Sequence, residues 1–274
     1  MDTNQPYQVV AFYKFVELPD YQDLQPIYKA AMEGFDIKGT LLLAPEGVNA
    51  TISALPANMD KFMGYIQSDP RINSLTTKTH QFSRHAFGKA KVKCRTELVS
   101  LGEYANPLNK TGQYVKPQDW NKLINSPNTI TIDTRNDYEV EIGKFKNAVN
   151  PSTKRFNGIG EFVDEQLADD KDKNIAMYCT GGIRCEKFSS YLLDKGYKNV
   201  YHLEGGILNY LEQVPEAEST WDGLCYVFDE RMGVDHNLQA HEELTHCKNC
   251  GSVLFTKDRI DEYYIAGKQC NKCA

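Results

Sequence analysis

Hydrophobic and polar residues follow two different periods in the first hundred residues of the chain. Short apolar or alternating runs predict strands over residues 7–16 and 75–82, and two strands joined by a Pro/Gly turn within residues 37–54. A period near 3.6 predicts helices over residues 20–34 and 57–69. The resulting order, β-α-β-β-α-β, is the split βαβ pattern, so we expect a ferredoxin-like α+β unit.

The pattern changes twice further along the chain, which predicts a multidomain α/β protein. The ferredoxin-like domain occupies residues 1–101, and a Pro-, Gly- and Asn-rich connector follows over residues 102–115. Between residues 116 and 214, β-rich runs such as "NTITIDTR" and "NIAMYC" alternate with helical stretches, which is typical of a parallel sheet covered by helices. Residues 215–274 form a small Cys-rich carboxyl-terminal region.

Composition narrows the function classes. The net charge of −6 argues against general coating of nucleic acid, although a local basic patch would still bind it. The longest apolar run, Leu41–Ala44, is too short to span a bilayer, and the first residues have no basic segment of a secretory signal. We therefore expect a soluble cytoplasmic protein without membrane contact. Eight cysteines in a reducing compartment indicate metal or thiol chemistry rather than disulfides.

The stretch "MYCTGGIRCEKF" places Cys179 where a strand passes into a helix. At such a junction the backbone N–H groups and the positive end of the helix dipole favour a thiolate. Gly181 and Gly182 allow the amides to converge on one anion, and Arg184 adds a fixed positive charge. We therefore predict Cys179 and Arg184 as catalytic residues, with Cys179 as the nucleophile in preference to a buried structural cysteine.

Cys185 lies at the far end of the same loop. A small hydrogen-bonding residue would serve equally well there. The sequence favours a supporting role over that of primary nucleophile, and a role as resolving thiol stays open.

Three segments resemble the motifs of rhodanese domains, in the same order. "YCTGGIRC" is similar to the active-site loop of that family, and "TIDTRNDYEVEIGKFKNAVN" to its Asp-x-Arg strand end and Glu…Gly-His-Ile segment. "VYHLEGGILNYL" is similar to its Leu-x-Gly-Gly helix start. One departure is Gly143-Lys144-Phe145, where Gly-His-Ile is commoner. The resemblance covers roughly residues 115–213 and implies a rhodanese domain there.

The rhodanese resemblance implies a persulfide carried on Cys179 and held by the loop amides. The loop residues are Thr180, Gly181, Gly182, Ile183, Arg184 and Cys185. It also implies that Asp133 and Arg135 support the loop from the neighbouring strand end, the alternative being a structural ion pair. The related dual-specificity phosphatases have five residues between the cysteine and the arginine. Here there are four, which suits a sulfur atom better and disfavours a phosphatase.

A basic stretch over residues 78–95 contains no acidic residue. Such a stretch in an acidic protein is expected of RNA contact, and the interleaved phenylalanines favour unstacked bases. An ordinary solvated strand and loop is the equal alternative. The candidate RNA-binding residues are Lys78, Arg84, Lys89, Lys91, Lys93 and Arg95.

The tail has the spacing Cys-x2-Cys, nineteen residues, Cys-x2-Cys. This spacing favours a structural zinc ribbon, with a two-stranded hairpin between the knuckles, over a redox pair of disulfides or free thiols. A tail this small lacks its own core, so zinc would supply its folding energy. The candidate ligands are Cys247, Cys250, Cys270 and Cys273.

The three units together resemble the tRNA uridine hydroxylase family, and the resemblance runs through nearly the whole chain. Further similarity lies in "KGTLLLAPEGVNATISA", "HAFGKAKVKCRTELVSLG" and "CYVFDERMGVD". The resemblance implies oxygen-dependent hydroxylation of the wobble uridine to 5-hydroxyuridine, an essential Cys179, and the tRNA anticodon arm as partner. The resemblance also implies molecular oxygen as co-substrate. The sequence has no flavin or nicotinamide motif, so the way in which oxygen is activated is left open.

Two other functions compete with this one. A sulfurtransferase would carry a Cys179 persulfide from thiosulfate or a similar donor, but it needs only the rhodanese domain. A non-catalytic RNA-binding or zinc-scaffold protein would not need the intact Cys179–Arg184 loop.

Overall fold

The computed structural model describes residues 6–241 and 244–274, so the start of the amino-terminal segment searched for a secretory signal lies outside the described residues. The amino-terminal domain is one five-stranded sheet with two helices packed on one face. Its elements are β1 (Tyr7–Phe15), α1 (Tyr21–Gly34), β2 (Lys38–Ala44), β3 (Gly47–Ala54), α2 (Pro56–Ile66), β4 (Thr77–Phe82) and β5 (Ala90–Cys94).

The strand order is β4-β1-β3-β2-β5. The first four strands are antiparallel in the ferredoxin-like order, which confirms the prediction, and β5 adds a parallel edge strand beside β2. Alternate residues of β1 and β2, such as Val10, Phe12, Leu41 and Leu43, are buried under the two helices. The opposite face of the sheet is directed at the second domain, where it forms one wall of a cleft.

The second domain is a parallel sheet in the order β6-β10-β9-β7, with helices on both faces. Its strands are β6 (Gln113–Val115), β7 (Thr129–Asp133), β8 (Gly143–Phe145), β9 (Asn174–Tyr178) and β10 (Asn199–Leu203), of which β8 lies outside this sheet. Its helices are α3 (Pro117–Ile124), α4 (Asp137–Val140), α5 (Ile159–Gln166), α6 (Ile183–Asp194) and α7 (Gly206–Gln213). This is the expected parallel α/β arrangement, and the end of the predicted connector contributes its edge strand β6.

Strand β9 shows why its sequence is apolar without alternation. Ile175 and Met177 enter the core on one face of the sheet, whereas Ala176 and Tyr178 enter the core on the other. A strand buried on both faces needs apolar residues at every position. Packing on both faces therefore fixes the position of the strand up to Tyr178, the residue immediately before the candidate nucleophile.

The carboxyl-terminal region consists of short elements that return across the rhodanese-like domain. They are β11 (Trp221–Gly223), which pairs with β8; the hairpin β12 (Cys225–Tyr226) and β13 (Gly233–Val234); β14 (Thr245–His246), which pairs with β15 (Val253–Leu254); and α8 (Thr256–Arg259). The predicted two-stranded hairpin between the cysteine knuckles is wrong. Asp258 accepts a hydrogen bond from the Phe255 N–H at 2.9 Å, which starts a helical turn where a second strand was expected.

A buried lysine joins the first two domains. Lys187 of α6 is 2% exposed, and its Nζ lies 2.9 Å from both Glu46 carboxylate oxygens and 2.6 Å from Glu97 Oε2. Removing one partner of such a cluster would leave a buried charge uncompensated. The contact therefore fixes the two walls of the cleft against each other. Within the described residues, no helix has the length and hydrophobicity needed to cross a membrane.

Candidate functional site

Cys179 follows β9 directly and lies on the wall of the interdomain cleft. It is 1% exposed, and its Sγ accepts a hydrogen bond from the Gly182 N–H at 3.0 Å. Burial alone raises the pKa of this thiol. The Cys185 thiol, the positive charge of Arg184 and the loop amides outweigh burial and lower the pKa to about 5. Cys179 is therefore a thiolate at neutral pH.

Cys185 behaves in the opposite way. It lies in the first turn of α6, because the helix begins at Ile183 and not after Cys185 as the sequence predicted. Burial, followed by its hydrogen bond to Cys179, raises the pKa of the Cys185 thiol well above the usual range. The Thr134 Oγ1 lies 3.4 Å from its sulfur. Cys185 thus stays protonated and donates to the Cys179 thiolate.

Arg184 is held by a carboxylate that sequence reasoning missed. Its two terminal nitrogens donate to Glu139 at 2.7 and 2.8 Å, and Glu139 is fully buried. The guanidinium also lies 5.9 Å from the centre of the Phe228 ring. With its terminal nitrogens bound to Glu139, Arg184 acts on Cys179 through its charge. The signal for Glu139 was present, since it is the Glu of the rhodanese-like Glu…Gly-x-x segment.

Asp133 and Arg135 form a fully buried ion pair one strand away from the loop. Arg135 donates to Asp133 through Nε at 2.9 Å and through Nη2 at 2.6 Å, and its Nη1 donates to the Glu139 carbonyl at 3.1 Å. The pair therefore contacts the backbone of Glu139, whose carboxylate binds Arg184. The middle residue of the Asp-x-Arg motif, Thr134, contacts the sulfur of Cys185.

The amino-terminal end of α7 donates backbone hydrogen bonds to the loop that begins at Cys179. The N–H of Ile207 donates to the Cys179 carbonyl at 2.9 Å, and that of Leu208 to the Thr180 carbonyl at 3.2 Å. Gly206 has φ +68°, and an added Cβ would lie 2.5 Å from the Cys179 carbonyl oxygen. The second glycine of the Leu-x-Gly-Gly segment is therefore required for this close approach.

The amino-terminal sheet supplies the facing wall of the cleft. The Tyr13 hydroxyl donates to Glu186 Oε2 at 2.8 Å, directly across from the loop. Burial raises the pKa of both Tyr13 and Glu186. The cleft encloses about 1010 Å³, which is the size of a site for a nucleotide-sized ligand.

The six predicted basic residues do not form one continuous strip. Lys78 lies on β4 and contacts Asn209 and Glu212, whereas Lys91 and Lys93 lie on β5 at the opposite edge of the sheet. Pairing with Thr40 and Leu42, which line the cleft, places both β5 lysines on the cleft face. Arg84 lies 3.7 Å from Glu230, and the exposed residues are Arg84, Lys89, Lys91, Lys93 and Arg95.

The four tail cysteines come together as a candidate metal centre. Their sulfur atoms all lie within 4.8 Å of one another, and individual pairs are separated by 3.6 to 3.8 Å. A tetrahedral zinc site with bonds of about 2.3 Å has sulfur atoms roughly 3.8 Å apart. The four thiols therefore fit a metal ion. His246 binds the Tyr226 hydroxyl at 3.2 Å and is not part of the group.

Comparison with known proteins identifies both large domains. The profile of the UPF0176 acylphosphatase like domain matches residues 7–98, and that of the rhodanese-like domain matches residues 116–213. A solved structure from Rhodopseudomonas palustris, described as a possible tyrosine phosphatase, is 27% identical over 37% of this chain and 80% of its own, with a TM-score of 0.32.

Two relatives match over nearly the whole chain. A Picosynechococcus protein named tRNA uridine(34) hydroxylase is 47% identical over 97% of this chain and 90% of its own length. An Acaryochloris marina protein of the same name is 43% identical over 97% of this chain and 86% of its own length. The chain therefore belongs to the tRNA uridine(34) hydroxylase family.

Proposed function

We propose that this protein hydroxylates uridine 34 of tRNA to 5-hydroxyuridine. Two relatives that match nearly end to end carry that name. The observation that carries the proposal is the Cys179 thiolate, which lies on the wall of a cleft large enough for an extruded nucleotide. A base in an RNA loop reaches such a recessed group by leaving the stack.

In this proposal Cys179 is the catalytic nucleophile. The thiolate adds to C6 of uracil, and the electron pair of the C5–C6 bond moves onto C5 and O4 as an enolate. The positive charge of Arg184 and the amides of the loop favour the thiolate as both attacking and leaving group. Cys185 supports the reaction because its thiol donates a hydrogen bond to the Cys179 sulfur.

Molecular oxygen is the co-substrate in this proposal. Carbon 5 attacks oxygen and forms a C–O bond, and loss of the C5 proton with expulsion of Cys179 restores the uracil ring as a hydroperoxide. Two thiols then supply two electrons and two protons, become a disulfide, and cleave the O–O bond to give 5-hydroxyuridine and one water. One oxygen molecule and two thiols are consumed for each uridine.

The anticodon arm is the proposed RNA partner. The exposed β5 cations lie on the cleft face of the amino-terminal sheet, where they would contact phosphates and set the register of the loop. The candidate contacts are Lys91 and Lys93 on β5, Lys89 and Arg95 immediately before and after that strand, Lys78 on β4 at the other edge, and Arg84 just after β4.

We further propose zinc as the metal of the tail. Cys247, Cys250, Cys270 and Cys273 would hold it, and the ion would supply folding energy rather than chemistry. The tail contacts the rhodanese-like domain through Lys272, whose Nζ lies 2.5 Å from Glu141 Oε2. A bound ion would therefore fix the carboxyl-terminal region against the domain that carries Cys179.

Nucleoside mass spectrometry of tRNA tests the proposal. Cells that lack the protein are complemented with wild type, with Cys179→Ser, or with Cys94→Ser as a matched thiol control in the amino-terminal domain. We expect 5-hydroxyuridine and its derivatives to return with wild type and Cys94→Ser only. Unchanged tRNA in every strain, together with thiosulfate-dependent cyanide turnover by the purified protein, would favour sulfur transfer instead.

A further inference from the structure

The hairpin after the rhodanese-like domain brings an arginine with a free edge into the cleft. Arg231 is 5% exposed and lines the cleft. Its Nε donates to Asp229 Oδ1 at 2.8 Å and its Nη2 to Asp229 Oδ2 at 2.6 Å. Its Nη1 is buried and has no hydrogen-bond partner among the residues that the structure describes. The side chain is thus fixed along one edge and unpaired along the other.

A histidine from the other domain lies on the same cleft. His80 of β4 lines the cleft, and its Nε2 is likewise buried without a partner within residues 6–241 and 244–274. Burial, followed by the positive charge of Arg231, lowers the pKa of His80. The neutral ring can therefore offer an N–H, and Arg231 lies close enough for its positive charge to act on the ring.

Unpaired buried donors need an explanation, because each costs roughly 1–3 kcal/mol relative to a bonded one. The neighbouring acidic side chains do not satisfy these unpaired donors. Asp229 is committed to the backbone N–H, Nε and Nη2 of Arg231, and Glu212 pairs with Lys78 at 3.6 Å. Two donors from different domains that are left free on one cavity fit an anionic group with several acceptor oxygens.

An exposed aromatic ring that lines the same cleft indicates that the anion is part of a nucleotide. Phe228 is 53% exposed although it lines the cleft, and it is three residues before Arg231. One edge of its ring is supported by Tyr226, with ring centres 5.1 Å apart. Such a ring is a platform on which an unstacked base can stack.

We propose that Arg231 Nη1 and His80 Nε2 form a subsite for one backbone phosphate of the RNA, adjacent to the nucleotide that enters the cleft. The inference rests on the proposed function and adds to it a contact that spans the two domains. It assigns the hairpin β12–β13 a direct role in binding substrate. Arg231 and His80 are positioning residues for the uridine that Cys179 attacks.

The test combines protein variants with neutralised RNA. Affinity for a synthetic anticodon stem-loop is measured by fluorescence anisotropy for wild type, Arg231→Gln and His80→Gln, with Lys122→Gln as an exposed-cation control outside the cleft. Each protein is also titrated with stem-loops in which the phosphate on either side of uridine 34 is a methylphosphonate. We expect Arg231→Gln to weaken binding about tenfold and to lower the slope of log K against log salt by about 0.7.

The decisive comparison is between the loss of affinity caused by the protein substitution and the loss caused by the methylphosphonate, which should not add. One methylphosphonate should weaken wild type and Lys122→Gln about tenfold but leave Arg231→Gln nearly unchanged, because the same contact is already lost. Additive losses, or an unchanged salt slope, would overturn the inference while leaving the proposed function intact. If Arg231→Gln does not fold, the same cycle with His80→Gln decides. Failure of wild type to bind any stem-loop would overturn the proposed function as well.

Discussion

Replacing the buried Arg184–Glu139 pair by two glutamines should shift the ionisation of Cys179 to higher pH. The two side chains are 8% and 0% exposed, so removing only one would leave a buried charge at a cost of about 3–5 kcal/mol. Two amides keep hydrogen bonding between the positions and remove both charges. The double variant therefore measures the net electrostatic effect of the Arg184–Glu139 pair on the thiolate.

The size of the shift follows from the site. A nearby opposite charge lowers a pKa by about 1–3 units, and Glu139 offsets part of the field of Arg184, so we expect a rise of about one unit. One unit corresponds to about 1.4 kcal/mol. The pKa of Cys179 would then move from about 5 to about 6, and near pH 5 the thiolate fraction would fall roughly fivefold.

Iodoacetamide alkylation measures this fraction. The rate at Cys179 is followed by peptide mass spectrometry from about pH 4 to about pH 9, with free cysteine, of pKa about 8.5, in the same tubes. The matched control replaces an exposed pair by Gln and Asn: Lys195, which follows the end of α6, and Asp164 of α5, whose charged atoms are 3.1 Å apart. We expect that control to titrate as wild type. A wild-type midpoint near that of free cysteine, or an unchanged midpoint in the double variant, would refute the reasoning.

Three further predictions test other parts of the structure. Gly206→Ala should lower the free energy of unfolding by about 3 kcal/mol in urea titrations, because the new Cβ meets the Cys179 carbonyl at positive φ. As a control, Gly181→Ala should change the free energy of unfolding by less than about 0.5 kcal/mol, because its Cβ would have nothing within 4 Å. Equal effects of the two substitutions would contradict the role of Gly206. Folding lowers the pKa of Cys179, so its stabilising contribution is complete above the ordinary thiol pKa and is lost as pH falls through about 5. The stability difference between wild type and Cys179→Ser should therefore shrink by about 1.4 kcal/mol per pH unit across that window, and a pH-independent difference would count against the thiolate. Elemental analysis should find one zinc per wild-type chain and a large loss in Cys250→Ser, while Cys225→Ser should keep its metal; no zinc in wild type would exclude the proposed site.

Local patterns were sufficient to predict the two large domains but not the tail, where the expected hairpin is wrong. The ferredoxin-like unit was visible because its strands and helices have distinct periods, and the rhodanese-like sheet because β9 is apolar at consecutive positions. The start of α6 was placed too late, since φ +106° at Gly182 lets the helix begin at once, with Arg184 in its first turn. The sequence alone does not show which glycine adopts a left-handed backbone conformation.

Contacts between distant segments could not be predicted in the same way. Arg184 and Glu139 are 45 positions apart and meet only because β7 and β9 are neighbours in the sheet. The basic stretch is continuous in sequence, but β4 and β5 end on opposite edges, so Lys78 and Lys93 face the cleft from different sides. Spacing did find the tail cysteines, because each knuckle is a local turn.

Isotope labelling of the product tests the central claim most directly. Purified wild type and Cys179→Ser are incubated with tRNA and a thiol reductant under ¹⁸O₂, and the nucleosides are analysed by mass spectrometry. The account predicts 5-hydroxyuridine that carries one ¹⁸O atom with wild type and no product with Cys179→Ser. An oxygen derived from water, or full activity without the Cys179 thiolate, would contradict it.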